Sequence, residues 1–356
     1  MASAAERKSR LIEGRWDAIV IGSGIGGLTT AAALAKHGWK VAVLEQHYVI
    51  GGCTHMFSRK GRSWDVGVHC VGQMQETELP GKTLQWLSDG KIQMNPLGKA
   101  YDLVCLPDGF QMELPDSKEV FLERLKGLFP NDTQAIDRYF ELIVTAADGA
   151  KFYFASRMLP SWVSGLVAKL GQDWWTRTTH EVLSEITDNE KLRVVLTSQW
   201  GYYGATPRES SFAIHAITVR HFWDGGFYPV GGAKSYAEHL VPTIQAAGGD
   251  VFTRTSVKEI LIESGKARGV RLESGEELLS RRVISAAGAR ATVERLLPEH
   301  DKQEAWAKEV RGLQQSRAYV TLYLGFEGDI ESVGATKANH WRYESWDMEK
   351  AEWDLA

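Results

Sequence analysis

The first 45 residues contain a pattern that few folds can accommodate. The apolar run Asp17 to Ile21 leads into a glycine-rich turn and then an amphipathic helix. A second apolar run, Lys40 to Leu44, ends at Glu45. The turn itself contains Gly22, Ser23, Gly24, Gly26 and Gly27. Strand, glycine turn, helix, strand and acid in this order predict a βαβ unit that binds a dinucleotide.

Each position in this pattern has a physical role. Gly22 allows the tight turn, Gly24 lets a pyrophosphate approach the backbone, and Gly27 lets the helix pack closely. The helix N-terminus offers unpaired N–H groups and about half an elementary positive charge to the phosphates. Glu45 can accept hydrogen bonds from a ribose 2′-hydroxyl and would repel a 2′-phosphate, which disfavours NADP at this site. The alternative is a glycine turn that only packs a helix.

The composition limits the classes of protein to which this chain can belong. The 356 residues are 44% hydrophobic and 24% charged, which excludes a disordered chain and a fibre and allows one large domain or two interleaved ones. The net charge is -4 without a basic run, so nucleic-acid binding is not expected. The three cysteines, Cys53, Cys70 and Cys105, form no CxxC pair, so neither a metal site nor a disulfide framework is expected. We find no signal peptide and no transmembrane stretch, and we expect a cytoplasmic or peripheral membrane location.

A second glycine pair, Gly51-Gly52, follows six residues after Glu45 and precedes Cys53 and Thr54. Such a pair would let backbone amides approach the pyrophosphate from its other side. The order GxGxxG, Glu, GG and then DxG resembles flavoproteins of the amine oxidase and phytoene desaturase type, which have two dinucleotide-binding motifs. The resemblance implies an α/β, Rossmann-like FAD domain with an inserted, mainly helical substrate domain.

Later motifs narrow the resemblance. WDVGVHCVG begins at Trp64, YYGATPRESSFAIHA at Tyr202 and GGFYPVGG at Gly225. Over about residues 16 to 325 the sequence is similar to the phytoene desaturase, carotenoid isomerase and retinol saturase group. The resemblance implies FAD as the cofactor. It places these residues around FAD: Gly22, Ser23, Gly24, Gly26, Gly27, Glu45, Gly51, Gly52, Cys53, Thr54 and the backbone of Val257.

The helical and glycine-rich stretches predict five segments along the chain. These are a polar tail at 1–15, a first FAD-binding part at 16–75, a substrate domain at 76–224, a second FAD-binding part at 225–295 and a return to the substrate domain at 296–356. Aromatic residues are dense in the substrate domain, which favours an apolar tunnel for a long ligand, with ordinary core packing as the alternative. The weakly amphipathic segment Leu159 to Leu170 could lie on a membrane surface or pack inside the fold.

The group resemblance implies a flavoenzyme that acts on C=C bonds of an apolar polyene, either a retinoid or a carotenoid. Saturation of a double bond is the first expectation, and cis–trans isomerisation and desaturation remain open. A prenyl-lipid binding protein of the GDP-dissociation-inhibitor type is the alternative from another class, but the intact glycine motif and Glu45 speak against it. His69 and Tyr228 are the candidate proton donors, with structural hydrogen bonding as their alternative role. A second GxGxxG is absent from the sequence, so NAD(P)H is left open as a transient electron donor.

The length is short for this resemblance. Related flavoproteins end with a glycine-rich segment that closes over the flavin, whereas this sequence continues past Leu322-Tyr-Leu-Gly325 and ends at Ala356 without one. We expect these residues to be the N-terminal two thirds of a longer protein. The alternative is a truncated homologue that holds the ADP half of FAD and encloses the flavin poorly.

Overall fold

The computed structural model describes residues 4–169 and 172–350. Its helices are α1 Ala4–Glu13, α2 Ile25–Lys36, α3 Leu79–Ser88, α4 Lys118–Leu128, α5 Thr133–Ser156, α6 Ser161–Lys169, α7 Gln172–Thr176, α8 Thr179–Ile186, α9 Glu190–Thr197, α10 Phe212–His221, α11 Lys234–Ala246, α12 Ala289–Ala291 and α13 Ala305–Gly312. Its strands are β1 Trp16–Ile21, β2 Val41–Leu44, β3 Met56–Arg59, β4 Arg62–Asp65, β5 Met94–Pro96, β6 Ala100–Cys105, β7 Gln111–Pro115, β8 Phe227–Pro229, β9 Asp250–Phe252, β10 Val257–Glu263, β11 Lys266–Leu272, β12 Glu277–Ser285 and β13 Asn339–Arg342.

The chain divides into two compact units. The first contains residues 4–69, 74–95 and 229–315, and the second contains residues 70–73, 96–228 and 316–350. The predicted boundaries at 75/76, 224/225 and 295/296 differ from the structure, where the chain changes unit at 95/96, 228/229 and 315/316. Helix α3 lies in the first unit because its Leu87 is buried in one apolar core with residues of α2 and α11. Helix α13 also lies there, because its Ala307 is buried in the core beneath the sheet.

The first unit is built on a six-stranded sheet in the order β10-β11-β12-β1-β2-β9. β1 lies parallel to both β12 and β2, and β2 lies parallel to β9. Every residue of β2 is buried, and so are all but one in β1, as expected for parallel strands covered on both faces. Parallel neighbours end at the same edge, so Gly22 after β1 and Glu45 after β2 lie side by side there.

Residues 4–13 form helix α1, which corrects the predicted polar tail. Leu11 is 4% exposed and packs in the same core as Trp16, whose Nε1 donates to the Leu11 carbonyl at 3.0 Å. On the same helix, Arg10 forms a salt bridge with Asp250 at 3.1 Å. A single apolar residue and a few charge contacts fix this helix, so its mixed-charge sequence resembles a solvated segment.

The second unit combines helices with a three-stranded sheet in the order β13-β6-β7. The sheet is an addition to the mainly helical domain that the sequence predicts. β6 pairs antiparallel with β7 and parallel with β13, which comes from the far end of the chain. The core of this unit contains Tyr139 on α5, Phe212 on α10 and Phe222, all fully buried.

Candidate cofactor site

A cavity of about 690 Å³ lies in the first unit at the edge where β1 and β2 end. Eight of the residues that were predicted at the cofactor line it: Gly22, Gly24, Gly26, Glu45, Gly52, Cys53, Thr54 and Val257. Three others, Ser23, Gly27 and Gly51, are buried and lie behind this lining. The structure thus brings the predicted set together, and direct contact of each member with a cofactor stays a prediction.

Two glycines permit the close backbone approaches that shape this cavity. A Cβ on Gly27 would lie 2.0 Å from the Gly22 carbonyl oxygen, so any side chain there would force the turn away from the helix. Gly52 has a φ of +55°, and a Cβ there would lie 2.9 Å from the Gly24 Cα. Gly24 and Gly51 pair as an isolated parallel bridge. The two glycine segments are therefore packed backbone against backbone.

Ser23 connects these segments to Glu45. Its Oγ donates to Glu45 Oε2 at 2.7 Å, and its backbone N–H donates to the same oxygen at 2.9 Å. The Gly51 N–H donates to Ser23 Oγ at 3.2 Å, and the His47 N–H donates to Glu45 Oε1 at 2.8 Å. Ser23 is fully buried, so its side chain orients the acid instead of facing the cavity. This role was not predicted, because a side chain that points behind the turn leaves the spacing of the glycines unchanged.

The start of α2 completes the chemistry of the cavity. Gly24 is the N-cap residue, and no side chain in the described part of the protein caps the helix. Gly24, Ile25 and Gly26 all line the cavity, so the free N–H groups and the positive end of the helix dipole are available to an anion. Glu45 can accept hydrogen bonds from ribose hydroxyls, and the start of α2 can bind an anion. These are the two kinds of binding group that an adenosine diphosphate requires. The residues present fit the adenosine diphosphate half of FAD.

The two candidate proton donors fall in different units. His69 is exposed at the end of a segment of the first unit, and Tyr228 is half-buried on β8 in the second unit. Their assignment as proton donors stays a prediction.

A buried acid in the second unit was not foreseen. Asp102 on β6 is 0% exposed and accepts hydrogen bonds from the Tyr202 hydroxyl at 2.8 Å and from Asn339 Nδ2 at 2.9 Å. Gln199 Nε2 donates to the same carboxyl group at 3.3 Å. Burial raises the pKa of Asp102, and the hydrogen bonds from Asn339 and Tyr202 oppose this rise. Burial also raises the pKa of the neighbouring Cys70 to about 11, so this thiol is protonated at neutral pH.

A second buried polar group holds the helices of this unit together. His215 on α10 is 0% exposed, with Nε2 2.9 Å from the Tyr139 hydroxyl and Nδ1 3.1 Å from the Tyr203 hydroxyl. Burial lowers the pKa of His215 to about 3, so the imidazole is neutral. It therefore acts as one donor and one acceptor between two phenols.

The aromatic residues of the predicted tunnel divide between core and surface. Phe212 and Phe222 are buried in the core, whereas Phe154 and Trp162 are exposed. The tunnel stays a prediction. Among the described residues, no three His, Cys, Asp or Glu side chains lie close enough to hold a metal ion. None of the described helices has the length and apolar character needed to cross a bilayer.

Known proteins are similar to this chain over most of its length. The profile of the "FAD dependent oxidoreductase" family matches residues 17–323. A human protein named all-trans-retinol 13,14-reductase is 34% identical over 94% of this chain, which spans 58% of that protein. A neurosporene-forming phytoene desaturase of Cereibacter sphaeroides is 28% identical over 87% of this chain and 60% of its own length.

A crystal structure of a protein from Pyrococcus furiosus superimposes on this chain with a TM-score of 0.59 at 22% identity, covering 84% of this chain and 65% of that one. This likeness concerns the fold alone. With the family match, it confirms the predicted fold class, an α/β flavoprotein with a Rossmann-like FAD-binding part. The chain spans less than two thirds of the length of each of these three relatives.

Proposed function

Because the chain belongs to the FAD dependent oxidoreductase family, we propose that its first unit binds the adenosine diphosphate half of FAD in the cavity beside β1 and β2. The observation that carries this proposal is the pairing of a fixed carboxylate with an uncapped helix N-terminus on one cavity wall. Glu45 holds the ribose, and the N–H groups at the start of α2 hold the pyrophosphate. Val257 contributes its backbone at the adenine.

We propose that the reaction is the saturation of a C=C bond in an apolar polyene, a retinoid or a carotenoid. Its support is the similarity to a protein named for retinol 13,14-reduction and to one named for phytoene desaturation. When bound in its reduced form, FAD would supply the two electrons of the saturation as a hydride to one carbon of the double bond, and the other carbon would take up a proton. The protein orients the polyene, excludes water and delivers the proton, for which Tyr228 and His69 are the candidates.

Desaturation and cis–trans isomerisation are the other candidate reactions. Desaturation runs the same electron transfer in the opposite direction, and the similarity to a phytoene desaturase favours it. Isomerisation leaves the redox state and the mass of the polyene unchanged. The three reactions are therefore distinguished by the mass of the product.

The test begins with flavin loading. The purified chain, incubated with FAD and desalted, is expected to retain the flavin absorbance, and Glu45→Gln is expected to lose most of it. A colourless wild-type protein would refute the cofactor proposal. The loaded protein is then reduced with dithionite and incubated anaerobically with all-trans-retinol. A product two mass units heavier supports saturation, whereas an isomer of unchanged mass assigns isomerisation instead. Omission of dithionite is the control and is expected to abolish saturation.

We also propose that helix α6 and the segment that connects it to α5 contact a lipid surface from which the polyene is drawn. Met158, Trp162 and Leu166 are 84%, 84% and 72% exposed, which is unusual for large apolar side chains that lie so close in sequence. Trp162→Ser with Leu166→Ser is expected to reduce co-sedimentation with phosphatidylcholine vesicles. Trp306→Ser, which changes an exposed tryptophan of the first unit, is the control. Equal sedimentation of all three proteins would refute the membrane contact.

A further inference from the structure

One charged side chain on the wall of the cofactor cavity lies outside the predicted cofactor set. Arg295 lines the cavity together with Ala291, which comes one helical turn earlier. Arg295 is exposed, and its guanidinium forms neither a hydrogen bond nor an ion pair with any residue that the structure describes. Arg290, in the same helical segment, is instead paired with Glu294 at 2.7 Å. The Arg295 guanidinium is therefore available to a ligand of the cavity.

The segment that carries Arg295 begins at the same sheet edge as α2. It follows β12, which pairs with β1, and Ser285 Oγ at the end of β12 lies 2.6 Å from Thr292 Oγ1. The Thr292 N–H also donates to the Gly288 carbonyl at 2.9 Å. Side chains on a helix lean towards its N-terminus, so the guanidinium of Arg295 is directed back over Ala291. The small side chain of Ala291 leaves room for it.

The turn Thr292–Leu296 is fixed against β10. Leu296, the residue after Arg295, is buried in the same apolar core as Val257, the first residue of β10, and both line the cavity. The turn is wound as a π-helix, a rare conformation that occurs frequently at functional sites. The Arg295 side chain therefore extends from a backbone that is packed at the β10 end of the cavity.

The charges of the cavity do not direct this guanidinium to the phosphates. Lys258 and Arg295 on the cavity wall are balanced by Glu45 and Glu273, so the net charge of the lining is zero. The proposed phosphate site is the start of α2, whereas the proposed adenine site is the backbone of Val257, on the strand against which the turn packs. A guanidinium is planar and stacks on flat aromatic rings, including nucleic-acid bases.

We propose that Arg295 is a further cofactor-binding residue, whose guanidinium stacks on the adenine ring of FAD. This inference rests on the proposed binding of the adenosine diphosphate half of FAD in this cavity. The adenine then lies between the backbone of Val257 and the plane of Arg295, and the phosphates stay with α2. Stacking requires the flat guanidinium, so lysine does not replace arginine at this position. The contact strengthens the binding of every adenine ligand, with or without phosphate groups.

The experiment titrates the unloaded full chain with FAD, ADP and adenosine by isothermal titration calorimetry. Arg295→Ala is expected to weaken all three ligands by a similar factor, about tenfold, and Arg295→Lys is expected to weaken them nearly as much. Arg290→Ala is the matched control, because Arg290 is also an exposed arginine of this segment but does not line the cavity, and it is expected to stay within twofold of the wild type. The Tm of unloaded Arg295→Ala is expected to equal that of the wild type, since the guanidinium makes no contact in the fold.

The ligand series separates adenine stacking from a phosphate contact. Weaker binding of FAD and ADP with unchanged binding of adenosine would place the guanidinium on the phosphates and overturn the proposal. Wild-type affinity of Arg295→Lys would overturn it as well, and so would unchanged affinity of Arg295→Ala for all three ligands. A wild-type chain that binds ADP and adenosine but not FAD would refute the proposed function alone, because the role of Arg295 is still decided by the two smaller ligands. A chain that binds none of the three would refute both.

Discussion

Substitution of Ser23 by alanine tests the architecture of the cofactor site most directly. The change removes a hydroxyl that donates to Glu45 Oε2 at 2.7 Å and accepts from the Gly51 N–H at 3.2 Å. It leaves the cavity lining itself untouched, because Ser23 is fully buried behind it. Any loss of FAD affinity must therefore arise through the orientation of Glu45 or of the second glycine segment.

The magnitude follows from the two hydrogen bonds. A hydrogen bond to a charged group contributes about 1.5–3 kcal/mol, and a neutral one contributes about 0.5–1.5 kcal/mol. The backbone N–H groups of Ser23 and His47 still hold the Glu45 carboxylate in the variant. We therefore expect the free energy of FAD binding to weaken by about 1.4 kcal/mol, which is a rise of about tenfold in the Kd for FAD. The rest of the lost hydrogen-bond energy is expected to reduce the stability of the fold and so to lower the Tm.

The assay is a titration of unloaded protein with FAD, followed by flavin fluorescence. Ser58→Ala removes an exposed serine of β3 in the same unit and is expected to leave the Kd unchanged. A double-mutant cycle with Glu45→Gln then isolates the coupling, because Ser23→Ala should have little further effect once the carboxylate is gone. A Kd for Ser23→Ala within twofold of the wild type, or full additivity in the cycle, would refute the orienting role.

Three further predictions concern stability. Gly27→Ala is expected to lower the Tm strongly, because its Cβ would lie 2.0 Å from the Gly22 carbonyl oxygen. Gly26→Ala is the control, because its methyl group would lie in open space and should leave the Tm unchanged. Equal Tm changes for the two variants by calorimetry would contradict the close packing of α2 on the turn. The folded-state pKa of His215 is about 3, below the ordinary 6.5. The contribution of its neutral imidazole to the free energy of unfolding is therefore present above pH 6.5 and is lost as the pH falls. Relative to His215→Gln, the wild type should lose up to about 1.4 kcal/mol per pH unit below 6.5 in urea unfolding, and parallel curves would refute this. The pKa of Asp102 is raised above 3.8, so its contribution to the free energy of unfolding is present at low pH and is lost as the pH rises. The stability advantage of the wild type over Asp102→Asn should therefore shrink between pH 4 and pH 7. A constant difference in stability over this range would refute the prediction.

The cofactor cavity could be predicted from the sequence because its parts are local. The turn from Gly22 to Gly27 and the acid at Glu45 are separated by short, periodic segments, whose hydrophobic spacing indicates a strand, a helix and a strand. The hydrogen-bond partners of Glu45 were harder to predict, because a side chain that points behind a turn leaves the spacing of the glycines unchanged. Ser23 was accordingly expected around the cofactor and is found behind the cavity wall.

Long-range contacts account for what the sequence did not reveal. Asp102 is 100 residues from Tyr202 and 237 residues from Asn339, and no short motif records such a pairing. The sheet of the second unit went unseen for the same reason, since β13 joins β6 from far along the chain. Helix α1 was missed because Leu11 alone marks its buried face.

The hydrogen bonds around Ser23 also bear on how the flavin is exchanged. The Gly24–Gly51 bridge and the contacts of Ser23 join protein atoms only, so the two glycine segments are ordered by folding itself. The conformational entropy of those segments is therefore lost before any ligand arrives, and a nucleotide does not have to order them when it binds. A cradle that is preorganised in this way should accept flavin analogues by simple exchange, without an unfolding and refolding step.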